Sequence, residues 1–250
     1  MQHGFGRTSR PPSPRAACQG HSFFYGISRQ RSHDCYNGIK GGCTMKPSIF
    51  TLLAAALIWP VITHAAQAND SAYTDLDLDK CRTVAEDEMG ASLLCRGYDG
   101  YDVHFAESDL RQSILYGTVD KKLENEAFES FAVFNHVGSK IEWRRNTGGR
   151  PFATILRWFI ENVDDQAGMP TKESTGQVLV ISRVAQPGDG LGCIVGYVDA
   201  LSNPDANELA RNVADEQAQD FACGRDESAW FGKRGDKSGE PTHIWPETSP

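Results

Sequence analysis

Apolar and polar positions follow three different rhythms along this 250-residue chain. The first apolar stretch is nearly unbroken: Ile49 to Trp59 is a run of 11 residues that follows Met45 and Lys46 and ends at Pro60. From Asp75 onward the rhythm becomes two. Leu76 and Leu78 alternate with Asp75, Asp77 and Asp79, which predicts a short edge strand behind a loose arm, Asn69 to Thr74. Strands are also predicted at Ser92 to Tyr98, at Tyr101, Val103 and Phe105, and at Ser113 to Gly117. Asp99-Gly100 joins the first two as a hairpin turn, because both positions tolerate positive φ. Further strands are expected at Lys140 to Arg145, at Phe152 to Val163 as the longest, and as a hairpin of Gly176 to Val184 with Cys193 to Val198. The turns between them are Asn146 to Gly149 and Gln186 to Gly190, and Phe131 to Gly138 reads as an aromatic loop. Short helical pieces are expected at Cys81 to Gly90 and Lys121 to Glu129.

The third rhythm comes late. Ala206, Leu209, Ala210, Val213, Ala214, Ala218, Phe221 and Ala222 recur with a period near 3.6 and predict an amphipathic helix over about 203–223. Asn203 is placed to cap it, Pro204 fits its first position, and Gly224 ends it. Strands first and one main helix late define an α+β fold with a mostly antiparallel sheet. The expected organisation is one domain over 69–232 followed by a flexible polar tail, 233–250.

The early apolar run has another meaning. Lys46 supplies a positive start, Pro60 breaks the helix, and Ala66-Gln67-Ala68 matches the small-residue cleavage pattern of an export signal. Even extended to Ile62 the run is 14 residues, short of the ~20 that span a bilayer. We therefore read 45–68 as a cleavable signal peptide that leaves no stable membrane insertion, with a periplasmic or secreted destination. Residues 1–44 hold six Lys and Arg against one acid, Asp34, with no regular period. They read as upstream sequence or as a disordered basic extension.

Removing 1–68 changes the charge. Residues 69–250 carry 18 Lys and Arg against 32 Asp and Glu, a net of −14, against −8 for the whole chain. That surface repels phosphate backbones and argues against nucleic-acid binding. It favours cationic partners, or simply solubility. Cys81, Cys95, Cys193 and Cys223 remain, an even number, which in an exported chain reads as two disulfides. Three pairings exist; Cys81–Cys95 with Cys193–Cys223 closes the shortest loops and is preferred on that ground.

Site chemistry is sparse. Asp75, Asp77, Asp79 and Glu86 imitate calcium-loop spacing, but Lys80 stands where the loop needs Gly. Gly188 to Gly192 leads into a strand and not a helix, so it lacks the helix N-terminus of a phosphate loop. No metal or cofactor motif is found. Asp102 and His104 share a strand face and form the one candidate catalytic pair, with no G-x-S-x-G to supply a nucleophile. Arg144, Arg145 and Arg150 flank one turn beside Trp143, a candidate binding patch. Arg157 interrupts an apolar run, and Glu161 is its expected partner. The expected function is a non-catalytic envelope binding module for an unknown protein or small ligand. One form of it is an acidic inhibitor of a cationic hydrolase. The alternative is a hydrolase built around His104.

The leader reading makes a prediction. Protein recovered from the envelope fraction should begin at Asn69 and cap its four thiols only after reduction. Intact mass spectrometry checks both; an uncleaved chain with freely capping cysteines would overturn the reading.

Overall fold

The computed structural model describes residues 69–246. The expected leader and basic extension lie outside the described residues. Within them the chain forms β1 (Asp70–Asp75), a 3-10 turn at Leu78–Lys80, β2 (Arg82–Glu86), β3 (Gly90–Arg96), β4 (Asp102–Ser108) and β5 (Arg111–Tyr116). Then come α1 (Lys121–Glu126), β6 (Phe128–Phe131), β7 (Asn135–Arg145), β8 (Pro151–Ile160), β9 (Val163–Asp164) and β10 (Met169–Pro170). The last elements are β11 (Gly176–Arg183), β12 (Cys193–Asp199), α2 (Ala206–Gln217), β13 (Ala229–Phe231) and β14 (Pro241–Ile244). The fold is α+β, with mostly antiparallel sheets and one main helix.

Alternation along the central strands explains the layers. Leu156, Trp158 and Ile160 of β8 and Val178 and Val180 of β11 point into one core. Ala153, Ile155, Leu179 and Ile181, between them in sequence, point into another. These strands belong to a six-stranded sheet of order β1-β7-β8-β11-β12-β13, antiparallel except where β12 meets β13. A second sheet of order β2-β3-β4-β5 supplies Val103, Phe105, Ile114 and Tyr116 to the first core. Helix α2 covers the opposite face with Ala206, Ala210, Val213, Ala214 and Ala218. Small side chains on that stripe let the helix lie close to the strands.

Both disulfides form in the shortest-loop pairing, Cys81–Cys95 and Cys193–Cys223. The first precedes β2 and ties it to β3, where Arg82 stands opposite Leu94. Asp99 and Gly100 turn with φ of 49° and 83°, as the hairpin between β3 and β4 requires.

Several expectations need correction. The arm Asn69 to Thr74 is mostly strand β1, paired along its length with β7, while Leu78–Lys80 forms a 3-10 turn. The helix expected at Cys81 to Gly90 is the exposed strand β2; pairing with β3 and the adjacent disulfide hold it there. The aromatic loop divides between β6 and β7, and β7, not β8, is longest at 11 residues. Helix α2 is shorter than expected, and Asn203 does not cap it. Its side chain donates to the carbonyls of Asp199 and Lys233 and accepts from the Lys233 N–H, fastening the C-terminal segment instead. That segment is no loose tail through residue 246: Ser238 is buried and β14 pairs with β6.

Helix α2 is also held by charge. Arg144 on β7 donates to both carboxylate oxygens of Asp215 at 2.9 and 2.6 Å, and to Ser71 Oγ at 2.6 Å. The Arg144 side chain is 7% exposed. Arg211 on the helix grips Glu142 of β7 at 2.6 and 3.1 Å. Removing one partner of a buried pair leaves an uncompensated charge. Arg144→Ala should therefore cost about 3 kcal/mol in urea unfolding, with part of the loss recovered when Asp215→Ala is added.

Candidate functional site

The anticipated catalytic pair is not assembled. His104 Nδ1 meets Glu124 Oε1 at 3.1 Å and its Nε2 meets the carbonyl of Gly117 at 3.1 Å. Its carboxylate partner is thus Glu124 of α1 and not Asp102. With both ring nitrogens engaged, the imidazole works as a strut between β4, the end of β5 and α1. Burial pushes the Glu124 carboxyl up, but hydrogen bonds from Lys121 and His104 outweigh it and hold the group below its ordinary range.

The Trp–Arg patch divides in the same way. Trp143 is fully buried, and its Nε1 donates to Thr74 Oγ1 at 2.8 Å. Arg144 is spent on Asp215. Arg145 donates to both oxygens of Asp70 and, at 2.6 Å, to the Tyr98 hydroxyl. Of the four, Arg150 alone is exposed. Arg157 donates to Gln177 at 2.9 Å, while Glu161 pairs with His136. Arg144, Arg145 and Arg157 thus tie neighbouring strands and helix α2 together, and Trp143 adds no exposed surface to Arg150.

A different constellation does converge. Glu129 on β6 stands directly opposite His243 on β14. Glu129 is 5% exposed. Its Oε2 accepts the backbone N–H of Ile194 at 2.8 Å, and its Oε1 meets His243 Nδ1 at 3.0 Å. The far ring nitrogen, Nε2, lies 3.3 Å from Ser228 Oγ and 3.3 Å from the Tyr197 hydroxyl. Burial pushes the Tyr197 hydroxyl far above its ordinary range, so it remains protonated. With Nδ1–H donating to the carboxylate, Nε2 presents its lone pair to these two hydroxyls.

Local structure fixes each member. Ile194 lies beside the bulge on β12, where Ile181 faces Gly196 and Ser182 faces Ile194. The bulge turns Ile194 to the same core as Tyr197. Ser228 directly precedes β13, which pairs in parallel with β12. The Cys193–Cys223 disulfide joins the start of β12 to the segment leading to Ser228.

Glu129, Ser228 and His243 line a cleft of about 450 Å³ whose walls include Phe221 and Trp245, with Arg225, Asp226 and Glu227 also at its surface. Gly224, at φ 78°, lies under the Trp245 ring, and a Cβ there would come within 2.3 Å of Nε1. A larger depression, about 710 Å³, runs along Asp75 to Lys80. Two of its three acids are engaged, Asp77 by Lys80 at 2.6 Å and Asp75 by Lys140, and no histidine lines it. Among the described residues no group of three or more His, Cys, Asp or Glu is arranged to hold a metal ion.

Sequence reasoning missed this site because its members stand far apart, 114 residues between Glu129 and His243. It also set His243 in a tail. The available signal was the strand-favouring composition of Thr242, Ile244 and Trp245. Comparison of the chain with protein-family models, with curated proteins and with solved structures gives no match.

The His104 strut generates a pH prediction. A carboxyl whose folded pKa lies below its unfolded value stabilises the fold above the unfolded value and loses that contribution as pH falls through the folded one. Glu124→Gln should lower stability by about 1 kcal/mol at pH 7. The gap between variant and parent should close as pH drops below about 4. Urea unfolding at several pH values checks this; a gap independent of pH would contradict it.

Proposed function

We propose that this protein is an extracytoplasmic binding domain whose cleft between β6, β14 and the 221–228 segment receives a cationic group. The observation that carries the reading is the cleft itself. Its lining brings the buried carboxylate of Glu129 together with Asp226, Glu227 and the aromatic rings of Phe221 and Trp245. Carboxylates attract a cation, and aromatic faces add to the attraction when water is excluded. Arg225 offsets one of the three acids, leaving an excess of negative charge. The net charge of −14 over residues 69–250 favours approach of a basic partner from a distance.

The extracytoplasmic setting rests on the export pattern at 45–68 together with two disulfides, which persist in oxidising compartments. A lysine or arginine side chain of a partner protein fits this chemistry. An inhibitor or scavenger of a cationic hydrolase is the form of this reading that uses all of these features.

Trp245 provides the measurement. Titration with Nα-acetyl-arginine amide should change its fluorescence, and the citrulline analogue, isosteric but uncharged, should not. Glu227→Gln should weaken the interaction about threefold, and high salt should do the same. Equal responses to the two amides, or no response up to about 10 mM, would sink the proposal.

A further inference from the structure

Cation binding does not explain why a serine hydroxyl faces the lone-pair nitrogen of a histidine whose other nitrogen is held by a buried acid. We propose that Ser228, His243 and Glu129 form a nucleophile, base and orienting acid for acyl transfer from a carboxylic ester to water.

The geometry supplies each role. Glu129 is immobilised before any substrate arrives, because its second oxygen already accepts the Ile194 N–H at 2.8 Å. It therefore fixes the ring of His243 through Nδ1 at 3.0 Å. That contact places the ring proton on Nδ1 and leaves Nε2 as the acceptor, 3.3 Å from Ser228 Oγ. The His243 side chain is 39% exposed while that of Glu129 is 6% exposed. The acid is thus sealed and the base remains reachable, the division of labour that base-activated serines use on unrelated folds.

The reaction balances with water as the co-reactant. Ser228 Oγ bonds to the ester carbonyl carbon as its proton passes to His243 Nε2. The carbon–oxygen bond to the leaving group breaks, and the departing alkoxide takes that proton. Water then adds to the acyl-serine carbon and gives a proton to Nε2. The bond to Ser228 Oγ breaks, the serine recovers the proton, and a carboxylic acid leaves. Glu129 stays ionised throughout and stabilises the imidazolium between the steps.

Tyr197 sets the rate at which the base is free. Its hydroxyl lies at the same 3.3 Å from Nε2 and 3.5 Å from Ser228 Oγ. A single lone pair serves one donor at a time, so Tyr197 competes with the serine for the base. Removing the phenol hydroxyl leaves Nε2 to Ser228.

Preference for an ester bearing a cationic group rests on the binding reading above, whereas the nucleophile does not. The test separates them. The disulfide-intact full chain is incubated with an uncharged alkyl fluorophosphonate, in which phosphorus takes Ser228 Oγ and fluoride leaves. One adduct should form, on the peptide containing Ser228. Ser228→Ala should abolish it, His243→Gln should slow it about 100-fold at an unchanged melting temperature, and Tyr197→Phe should accelerate it. No adduct on Ser228, or one formed as fast in His243→Gln as in the parent, would refute the triad. Hydrolysis of paired cationic and neutral p-nitrophenyl esters then reads the charge preference. Equal rates on the two with intact Ser228 labelling would fell the cationic cleft and spare the nucleophile.

Discussion

A sheet that is apolar on both faces must be covered twice, and this constraint organises the molecule. Strands β8, β11 and β12 send large side chains to both sides, so neither face tolerates water. The smaller sheet closes one side around Trp143, Trp158 and Tyr116, and α2 closes the other with alanines. The charged side chains buried beside these cores serve as ties. Arg144–Asp215 and Arg211–Glu142 fasten the helix at one margin. Glu129 sits at another, where the ribbon β6–β14 meets the start of β12.

The part of this arrangement legible in the chain follows from periodicity. Residues 206–222 announce a helix because their apolar positions recur every third or fourth residue, and β8 is visible as an apolar run between turns. The disulfide pairing follows from loop length. Where periodicity is absent, long-range partners decide. Strand β2 is exposed along its length and has no apolar face, so nothing local marks it; β3 and the Cys81–Cys95 crosslink impose its shape. Strand β1 likewise exists because β7 offers it an edge.

The site was less legible than the fold for a related reason. Charge and aromatic content along the chain point to Trp143 and Arg144 because they are neighbours in sequence. On a strand, neighbours face opposite sides. Trp143 goes to the core beneath Tyr98 and Tyr116, and Arg144 goes to α2. His104 looked available because its partner, Glu124, arrives from a helix 20 residues away. Proximity along the chain is a poor guide to convergence in a fold with this many non-local strand pairs.

The ribbon formed by β6 and β14 joins residues 128–131 to residues 241–244. A chain that emerges from its N-terminus onward brings the second of these segments out long after the first. The fully buried members of both hydrophobic cores all lie at or before Ala218, whereas the imidazole and the indole of the cleft follow more than 20 residues later. The cleft therefore works as a seal of completion. A nascent or clipped chain can collapse around its sheet, but the cleft is not built until β14 has been threaded into place beside β6.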